Sequence, residues 1–577
     1  MAEKGKRRIA ILGGGPSGLF MYKTLITSGL KDIEIHIFER KQQLGAGMPY
    51  SVEGAGNEHI TNVSDNEIPL LVSSIQDWVQ TADPKLLATF EIDPAHFNEY
   101  KVLPRLFFGQ YLSAQSELLK AMAHDAGIVT EVHLGSFVSD IIDQADLQQV
   151  WVEVNAELKK FDSVVVCTGH NWPKEKEGVV PGYYDSPYPP TKLVMKVNHA
   201  IAIKGSSLTA IDAIRTLARK NGTFETGKDG MLVYNLAAGS EDFKMIMHSR
   251  NGMLPAVRFH LEDSHLQSGS LLSPEEIAKH RAANNGFISL DFIFEQNFKA
   301  QFKEKDPDFF EQIKELDLET FVEMMMELRE RLPPFQLLRA EYIEAEKSIK
   351  RHQSVYWKEM LAVLSFAMNY PAKYLAAEDM QRLQKVLMPL ISIVIAFVPQ
   401  SSCKELLALH DAGVLDLLSV GNDNRVEPKP EGGIVYHYID ENGVEKAVPY
   451  QTFVDCVGQP HLSFAQFPFK SLVKNHTVSE AMLKFASDET GEQAIAEGNK
   501  AVIKNKIGYY LKVPGIAIND QFMVVDDYGA YNDRIYMMAV PYIGGFNPDY
   551  SGLDFCEEAS GKIIEGLGRW GVEMLGS

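Results

Sequence analysis

The sequence predicts an α/β protein built on two parallel, doubly wound sheets with a largely helical insertion. Three observations carry this reading. The apolar, β-branched run that ends at Leu12 stops at three consecutive glycines, Gly13 to Gly15, and is followed by LFMYKTLITSGL, whose apolar residues recur at helical spacing until Gly29. A second start of the same kind, AIAIKGSSLTAIDAIRTLARKNG, follows His199. From Ser273 to about Val398 nearly every stretch has helical periodicity, most clearly LETFVEMMMELRERL and RAEYIEAEKSIKRHQSVYWKEMLAVLSFAMNY.

The elements follow in chain order. IEIHIFER, Ile33 to Arg40, supplies the second strand of a βαβ unit. Residues 41–75 are rich in Gly, Asn, Ser and Asp and predict long functional loops. VWVEVNAEL and KFDSVVVCTG predict a hairpin or paired strands closing back into the sheet, and the proline-rich stretch 173–197 predicts a crossover linker. FKMIMHSR continues the second unit after a polar, Gly-rich insertion. The sheet pattern returns with GGIVYHYI and TFVDCVG, and RIYMMAV adds one more buried strand before a closing helix. The expected organisation is a split first unit, 1–197 and 460–577, a split second unit, 198–272 and 399–459, and a helical insertion, 273–398. Met324 to Met326 sit at helical spacing beside Phe321 and Leu328, as core packing requires.

With 577 residues the chain is long enough for two or three domains at roughly 100 to 200 residues each. Hydrophobic residues make up 45% and charged residues 23%, which suits a large core and not a disordered chain. Asp and Glu outnumber Lys and Arg by 77 to 56, a net charge of -21, so no nucleic-acid partner is expected. The four cysteines, Cys167, Cys403, Cys456 and Cys556, form no CxxC pair, which suits a reducing cytoplasm and excludes a flavin disulfide reductase. The start MAEKGKRR is basic but lacks the apolar core of a signal peptide. The longest apolar run, Val386 to Val398, contains Pro389 and is too short to cross a bilayer, so it reads as a buried core helix and no membrane partner is expected. The 16 histidines include no HExxH and no Cys/His cluster, so no metal site is predicted.

Gly13-Gly14-Gly15-Pro16-Ser17-Gly18 satisfies GxGxxG directly after a strand and at the opening of a helix. Gly13 permits the tight turn, Gly15 lets the backbone approach a pyrophosphate, and Gly18 allows helix and strand to pack closely. The helix N-terminus, opened by Pro16 and Ser17, favours phosphate charge. Glu39 closes the second strand about 20 residues later, where an acid accepts ribose hydroxyls. The fold class is therefore α/β with two Rossmann-like dinucleotide-binding domains and a largely helical insertion. The second turn is weaker. It reads Gly205-Ser206-Ser207-Leu208-Thr209-Ala210, and Ser207 stands where a Cβ crowds close backbone approach. Ser249 and Arg250 follow the next strand, and a cation there suits the 2'-phosphate of NADPH. Near the end, VPYIGGFNPDYSGLDF feeds the last helix; Gly544 and Gly545 offer backbone N–H groups, while Asn547, Asp549 and Asp554 are either site residues or turn and N-cap residues. His59, His170 and His248 sit on motif edges, as hydrogen-bonding loop residues or as a general base.

On these motifs the sequence resembles the flavoproteins with two dinucleotide-binding domains, which include flavin-containing and N-hydroxylating monooxygenases, and most of all the bacterial branch containing amino-acid N-hydroxylases. The stretches that carry the resemblance are GGGPSG, LGAGMPYS from Leu44, HITNV from His59, LPRLFFGQYL from Leu103, VVVCTGH from Val164, GSSLTAID from Gly205, HSRNGMLP from His248 and FVDCVGQ from Phe453. They span most of the chain, with only a loose match in the helical insertion. The resemblance implies FAD on the first loop, at Gly13, Gly15, Pro16, Ser17, Gly18, Glu39, Arg105 and Thr168. It implies NADPH on the second, at Gly205, Ser207, Thr209, Ser249 and Arg250, and it places the loop of Gly544, Gly545 and Asp554 beside the isoalloxazine, with Asn547 and Asp549 as candidate catalytic residues. The implied activity is an FAD-dependent, NADPH-using monooxygenase that uses O2 to hydroxylate a small polar nitrogen-containing substrate. Two other readings stay open: an FAD enzyme acting on the carbon of a heterocycle, as hydroxylase or dehydrogenase, and a non-catalytic nucleotide-binding protein. Arg258, Arg339 and Arg351 are either substrate-carboxylate anchors or paired surface arginines. A homo-oligomer is left open.

Overall fold

The computed structural model describes residues 6–573 apart from 170–171, 229, 262–270, 460 and 550–551, with side chains up to residue 568. Strand β1, Arg7–Leu12, runs at the centre of a six-stranded sheet. On one side it pairs in parallel with β2, Ile33–Glu39, and through it with Val129–Leu134; on the other it pairs with Ser163–Val166, then Tyr531–Met537. Only the edge strand Met523–Val525 is antiparallel. Ile9 to Leu12 and Val164 to Val166 are completely buried, as strands covered on both faces must be, which explains their unbroken apolar runs. Helix α1, Pro16–Thr27, covers one face beside the closing helix Leu553–Glu573, to which it is tied by Thr24 with Ser560 (2.8 Å) and Lys23 with Glu557 (2.8 Å).

The second parallel sheet is ordered Tyr183–Tyr184, Thr452–Asp455, Ala200–Lys204, Lys244–Ser249 and Leu415–Ser419. Its first strand lies within the proline-rich stretch 173–197. Two segments with strand patterns form separate antiparallel layers, and one of them is the expected hairpin. Gln149–Val154 and Glu157–Phe161 make a hairpin beside Val138–Gln144, and Ile434–Ile439 pairs with Arg425–Pro428 and Glu445–Tyr450. Val150, Val152 and Val154 are buried while their neighbours are partly exposed, the alternation of a one-faced antiparallel strand.

Helices fill the stretch between Pro274 and Val394. Their centre is aromatic: Phe298 stacks 5.4 Å from Phe294 and meets Phe302 and Phe321 edge-on, each at 5.0 Å. This cluster is continuous with the core of the first sheet, whereas the second sheet has its own core around Ile201, Ile214 and Leu406. The apolar run expected as a buried helix is one: Leu387, Leu390, Ile391 and Val394 are wholly buried, in the helix Met388–Val394 and the turn before it. That preceding turn, Leu383–Leu387, has π geometry, which accommodates the missing N–H and the ring of Pro389. Among the described residues no helix is long and apolar enough to cross a membrane. Replacing Phe298 by Ala removes the hub of the aromatic cluster and is expected to cost about 3–5 kcal/mol, seen as a lower denaturant midpoint for the helical signal; an unchanged midpoint would contradict this account of the core.

Candidate functional site

The chain changes direction on either side of β1: β2 lies to one side of it and Ser163–Val166 to the other, which opens a crevice at the carboxyl edge of the sheet. Gly13 lines that edge with φ +110°, and a Cβ there would stand 2.6 Å from the Cys167 carbonyl oxygen. No side chain fits, so the turn is confined to glycine. Gly18 packs against the Gly13 carbonyl in the same way. Gly15 is the N-cap of α1, Pro16 opens the helix, and neither a capping side chain nor an acid occupies its first turn. The N–H groups of Ser17 and Gly18 therefore belong to an uncapped, positive helix end.

Glu39 is buried beside this turn. Its carboxylate accepts from the Gly14 N–H (2.8 Å) and the Lys41 N–H (2.9 Å), so it braces the loop; each oxygen keeps a further lone pair for a ribose hydroxyl. Thr168 follows Cys167 across the crevice, and its buried Oγ1 has no hydrogen-bond partner among the described residues. An uncapped helix end at this crevice fits a dinucleotide phosphate, and the Thr168 hydroxyl beside it is without a partner among the described residues. The closing helix brings a second N-terminus to the same place: Cys556 Sγ lies 3.3 Å from Ser17 Oγ, and Asp554 sits in that helix's first turn. Burial pushes the Cys556 thiol up to about 12 and also raises that of Cys167, so both remain thiols at neutral pH.

The second sheet repeats the arrangement. Gly205 has φ +107°, and a Cβ on it would stand 2.8 Å from the Cys456 carbonyl oxygen. Ser207 stands at the N-cap position of the helix Leu208–Asn221 without a side-chain cap bond, with φ -90° and ψ -167° against -77° and -166° at Gly15. Ser207 thus takes the backbone path of the glycine it replaces, and its side chain is exposed. Thr209, in the first turn, lies near Gly458 of the loop after Thr452–Asp455. Ser249 is tied to Asn251 (3.0 Å), and Arg250 is exposed beyond it with no side-chain hydrogen bond or ion pair among the described residues.

Arg105, Asp212 and Tyr188 join the two units. Arg105 Nη1 donates to Asp212 Oδ2 at 2.6 Å, the Tyr188 hydroxyl donates to the same oxygen at 2.6 Å, and Arg105 Nε donates to the Ile60 carbonyl at 3.2 Å. Arg105 therefore holds the helix of the second unit, a role its motif did not reveal. His59 accepts the Gly56 N–H at Nδ1 (3.0 Å), which puts its proton on Nε2, 3.1 Å from the Asp212 carbonyl oxygen. Burial holds His59 below its ordinary value, and it pulls His248, stacked on Tyr436, down to about 4; both are neutral and structural at pH 7. His170 lies outside the described residues.

The C-terminal loop meets the helical insertion. Gly545 N–H donates to the Pro514 carbonyl (2.8 Å), and Gly544 lies against His461. Asn547 and Asp549 are buried; the Asp549 N–H donates to Asn369 Oδ1 (3.1 Å) and its carboxylate accepts from Ser365. Asn369 Nδ2 is buried without a partner among the described residues, and Lys373, Tyr370 and Tyr374 gather on Asp520 beside Asn547. Of the arginines considered as anchors, Arg258 is buried on Glu67, Arg339 pairs with Asp411 (2.9 Å) and Arg351 is exposed.

Residues 10–171 match the FAD-NAD(P)-binding family. Residues 273–395, the helical insertion, match the YdhS-like middle domain. The chain is 26% identical over 475 residues to the uncharacterized protein YdhS of Escherichia coli K12, covering 81% of this chain and 86% of that one. Among solved structures it is similar to DfoA, a cadaverine monooxygenase of Erwinia amylovora bound to FAD (11% identity, 98% and 94% of the two chains, TM-score 0.45). It is also similar to a cyclohexanone monooxygenase of Rhodococcus bound to NADP+ (10% identity, 99% and 85%, TM-score 0.40) and to the bacillithiol disulfide reductase of Staphylococcus aureus (10% identity, 98% of each, TM-score 0.41).

Burial alone would raise the Asp212 carboxyl, but Arg105, His59 and Tyr188 outweigh it and hold it below the ordinary value. A carboxyl depressed on folding stabilises above its unfolded value, near ~3.9, and that contribution is lost as pH falls through the folded value. Asp212→Asn is expected to cost about 3–5 kcal/mol at pH 7, because Arg105 stays buried without its counter-charge, and to flatten the loss of thermal stability below about pH 4; an acid limb like that of the unaltered protein would contradict the pairing. Arg250→Ala is expected to raise the Kd for NADPH roughly 10- to 100-fold, the worth of one charge-assisted contact, and to leave that for NADH unchanged.

Proposed function

We propose that the protein is an FAD-dependent, NADPH-using monooxygenase that hydroxylates a small polar nitrogen-containing substrate, an amino acid or an amine. The observation that carries this reading is the repeated turn: Gly13 and Gly205 adopt the same left-handed conformation under a carbonyl of the neighbouring strand, each before an uncapped helix at a sheet's carboxyl edge. Two such cradles in one chain suit a flavin and the nicotinamide that reduces it. The FAD unit comprises 1–197 and 460–577, and the NADPH unit 198–272 and 399–459.

Within this reading Gly13, Gly15, Ser17 and Gly18 receive the pyrophosphate, Pro16 sets the helix opening, Glu39 accepts the ribose hydroxyls and the orphaned Thr168 hydroxyl supplies a further bond. Gly205, Ser207 and Thr209 receive the nicotinamide nucleotide, with Ser249 and Arg250 at its 2'-phosphate. Arg105 is a positioning residue that keeps the second helix against the first unit. Gly544, Gly545 and Asp554 border the flavin ring. Asn547 and Asp549, buried against Ser365, Asn369 and the Asp520 cluster, present polar groups to the substrate and exclude water. Bound FAD supplies hydride acceptance from NADPH and reaction with O2. Four buried cysteines, all free, support a reducing cytoplasm.

Anaerobic titration with NADPH and then NADH, followed by flavin absorbance in the presence of candidate amines and amino acids, tests the reading. NADPH is expected to bleach the flavin, and aerobic turnover is expected to add one oxygen atom to nitrogen, read by product mass and fragmentation. A chain that binds no flavin, or a reduced enzyme that gives only hydrogen peroxide with every amine and amino acid, would overturn it.

A further inference from the structure

His36 lies on β2, while Glu131 and His133 lie on the adjacent edge strand Val129–Leu134. The parallel register sets His36 beside Glu131 and Phe38 beside His133, so all three side chains stand over one face. His36 Nδ1 is 3.1 Å from His133 Nε2 and 3.5 Å from Glu131 Oε2, and those two atoms are 3.6 Å apart. The triangle is close to equilateral. Ligand atoms at ~2.0–2.2 Å from a tetrahedral centre are separated by about 3.3–3.6 Å, and a hydrogen bond between the two rings does not explain the approach of the carboxylate to both.

The surroundings orient these atoms. His36 Nε2 is 2.6 Å from Glu34 Oε1 and 3.2 Å from Arg8 Nη2; the shorter contact is to the carboxylate, and with the Nε2 proton donated to Glu34 the Nδ1 lone pair is directed at the triangle. A carboxylate on the far nitrogen is the usual support of a ligating histidine. Phe38 stacks on the His133 ring at 4.5 Å and Phe161 meets His36 edge-on at 5.1 Å. A cavity of about 290 Å3 opens over the three groups, with room for a cation and water. Of the cations facing it, Arg8 pairs with Glu34 at 3.4 Å and also reaches His36 Nε2 at 3.2 Å, Lys160 lies over the Trp151 ring, and Lys159 is the opposing charge without a carboxylate partner among the described residues.

We propose that His36 Nδ1, His133 Nε2 and a Glu131 carboxylate oxygen bind a divalent transition metal of the zinc class, with water at the fourth position and Glu34 orienting His36. Imidazole nitrogen with one carboxylate selects such an ion over magnesium or calcium. The site lies on the face of β2 opposite Glu39, outside the dinucleotide crevice, and clamps the edge strand to the sheet.

The test is calorimetric titration of the tag-free, chelator-treated full chain with Zn2+ alone, repeated with Co2+ alone and followed by visible absorption. The chain is expected to bind one equivalent and to give the absorption of low-coordinate cobalt. Glu131→Gln and His133→Gln are each expected to weaken binding tenfold or more, Glu34→Gln by roughly 10- to 100-fold, and Lys159→Gln to tighten it. The Glu131 side chain is 54% exposed, so that substitution leaves the fold intact. Absence of saturable binding, or binding undiminished in both Glu131→Gln and His133→Gln, would overturn the proposal.

Discussion

In both parallel sheets the backbone of one strand's turn is pressed against a carbonyl of the strand beside it, at Gly13 under Cys167 and at Gly205 under Cys456, where no Cβ has room. The rest of the arrangement depends on that contact. It forces a left-handed residue at the end of the strand, sends the chain straight into a helix, and leaves that helix's first N–H groups at the sheet's carboxyl edge without a side-chain cap. A crevice and a positive helix end coincide there, so the place where backbone sterics are tightest is also where a phosphate is best received. The agreement of Ser207 with Gly15 in backbone conformation shows that the turn is set by the preceding glycine, while the third residue decides only how closely a ligand approaches.

The two units are joined by polar contacts, whereas the helical insertion adds apolar residues to both cores, Phe298 and Phe321 to the first and Phe335 and Leu338 to the second. At the junction Arg105 and Tyr188 converge on one oxygen of Asp212, and His59 reaches the carbonyl of the same residue. A buried charge pair of this kind adds little net stability, since desolvation offsets its attraction, but it is directional and costly to break. It therefore orients the Leu208–Asn221 helix relative to the first crevice. The helical insertion is fastened to the last loop by the Ser365 and Asn369 contacts to Asp549, so the insertion and the C-terminal loop are held together by polar contacts between residues some 180 positions apart.

The protein's own titratable groups near the crevices are held in quiet states. Cys167 and Cys556 stay protonated, and His59 and His248 stay neutral, each because burial disfavours the charged form. Side chains so placed bind and orient, and leave oxidation and reduction to a cofactor. Glu39 acts on the loop itself: its carboxylate accepts two backbone N–H groups and holds the glycine turn in shape.

Much of the fold was legible in the sequence because it rests on local signals. Glycines after an apolar strand, helical periodicity from Ser273 onward and the acid closing β2 all act over a few residues, and each predicted the element found. Period alone also separates the one-faced strands from the two-faced ones, but not the sheet they join, and Ile434–Ile439 and Gln149–Val154 went to antiparallel layers for reasons of hairpin pairing. What only the tertiary structure decided are contacts between residues far apart in the chain. Asp212 was visible as part of a motif, yet its partner Arg105 lies 107 positions away, and His36 meets His133 across 97. Strand register and the packing of one unit on another bring such groups together, and neither leaves a trace in the spacing of residues, because spacing records only what one strand or one helix does.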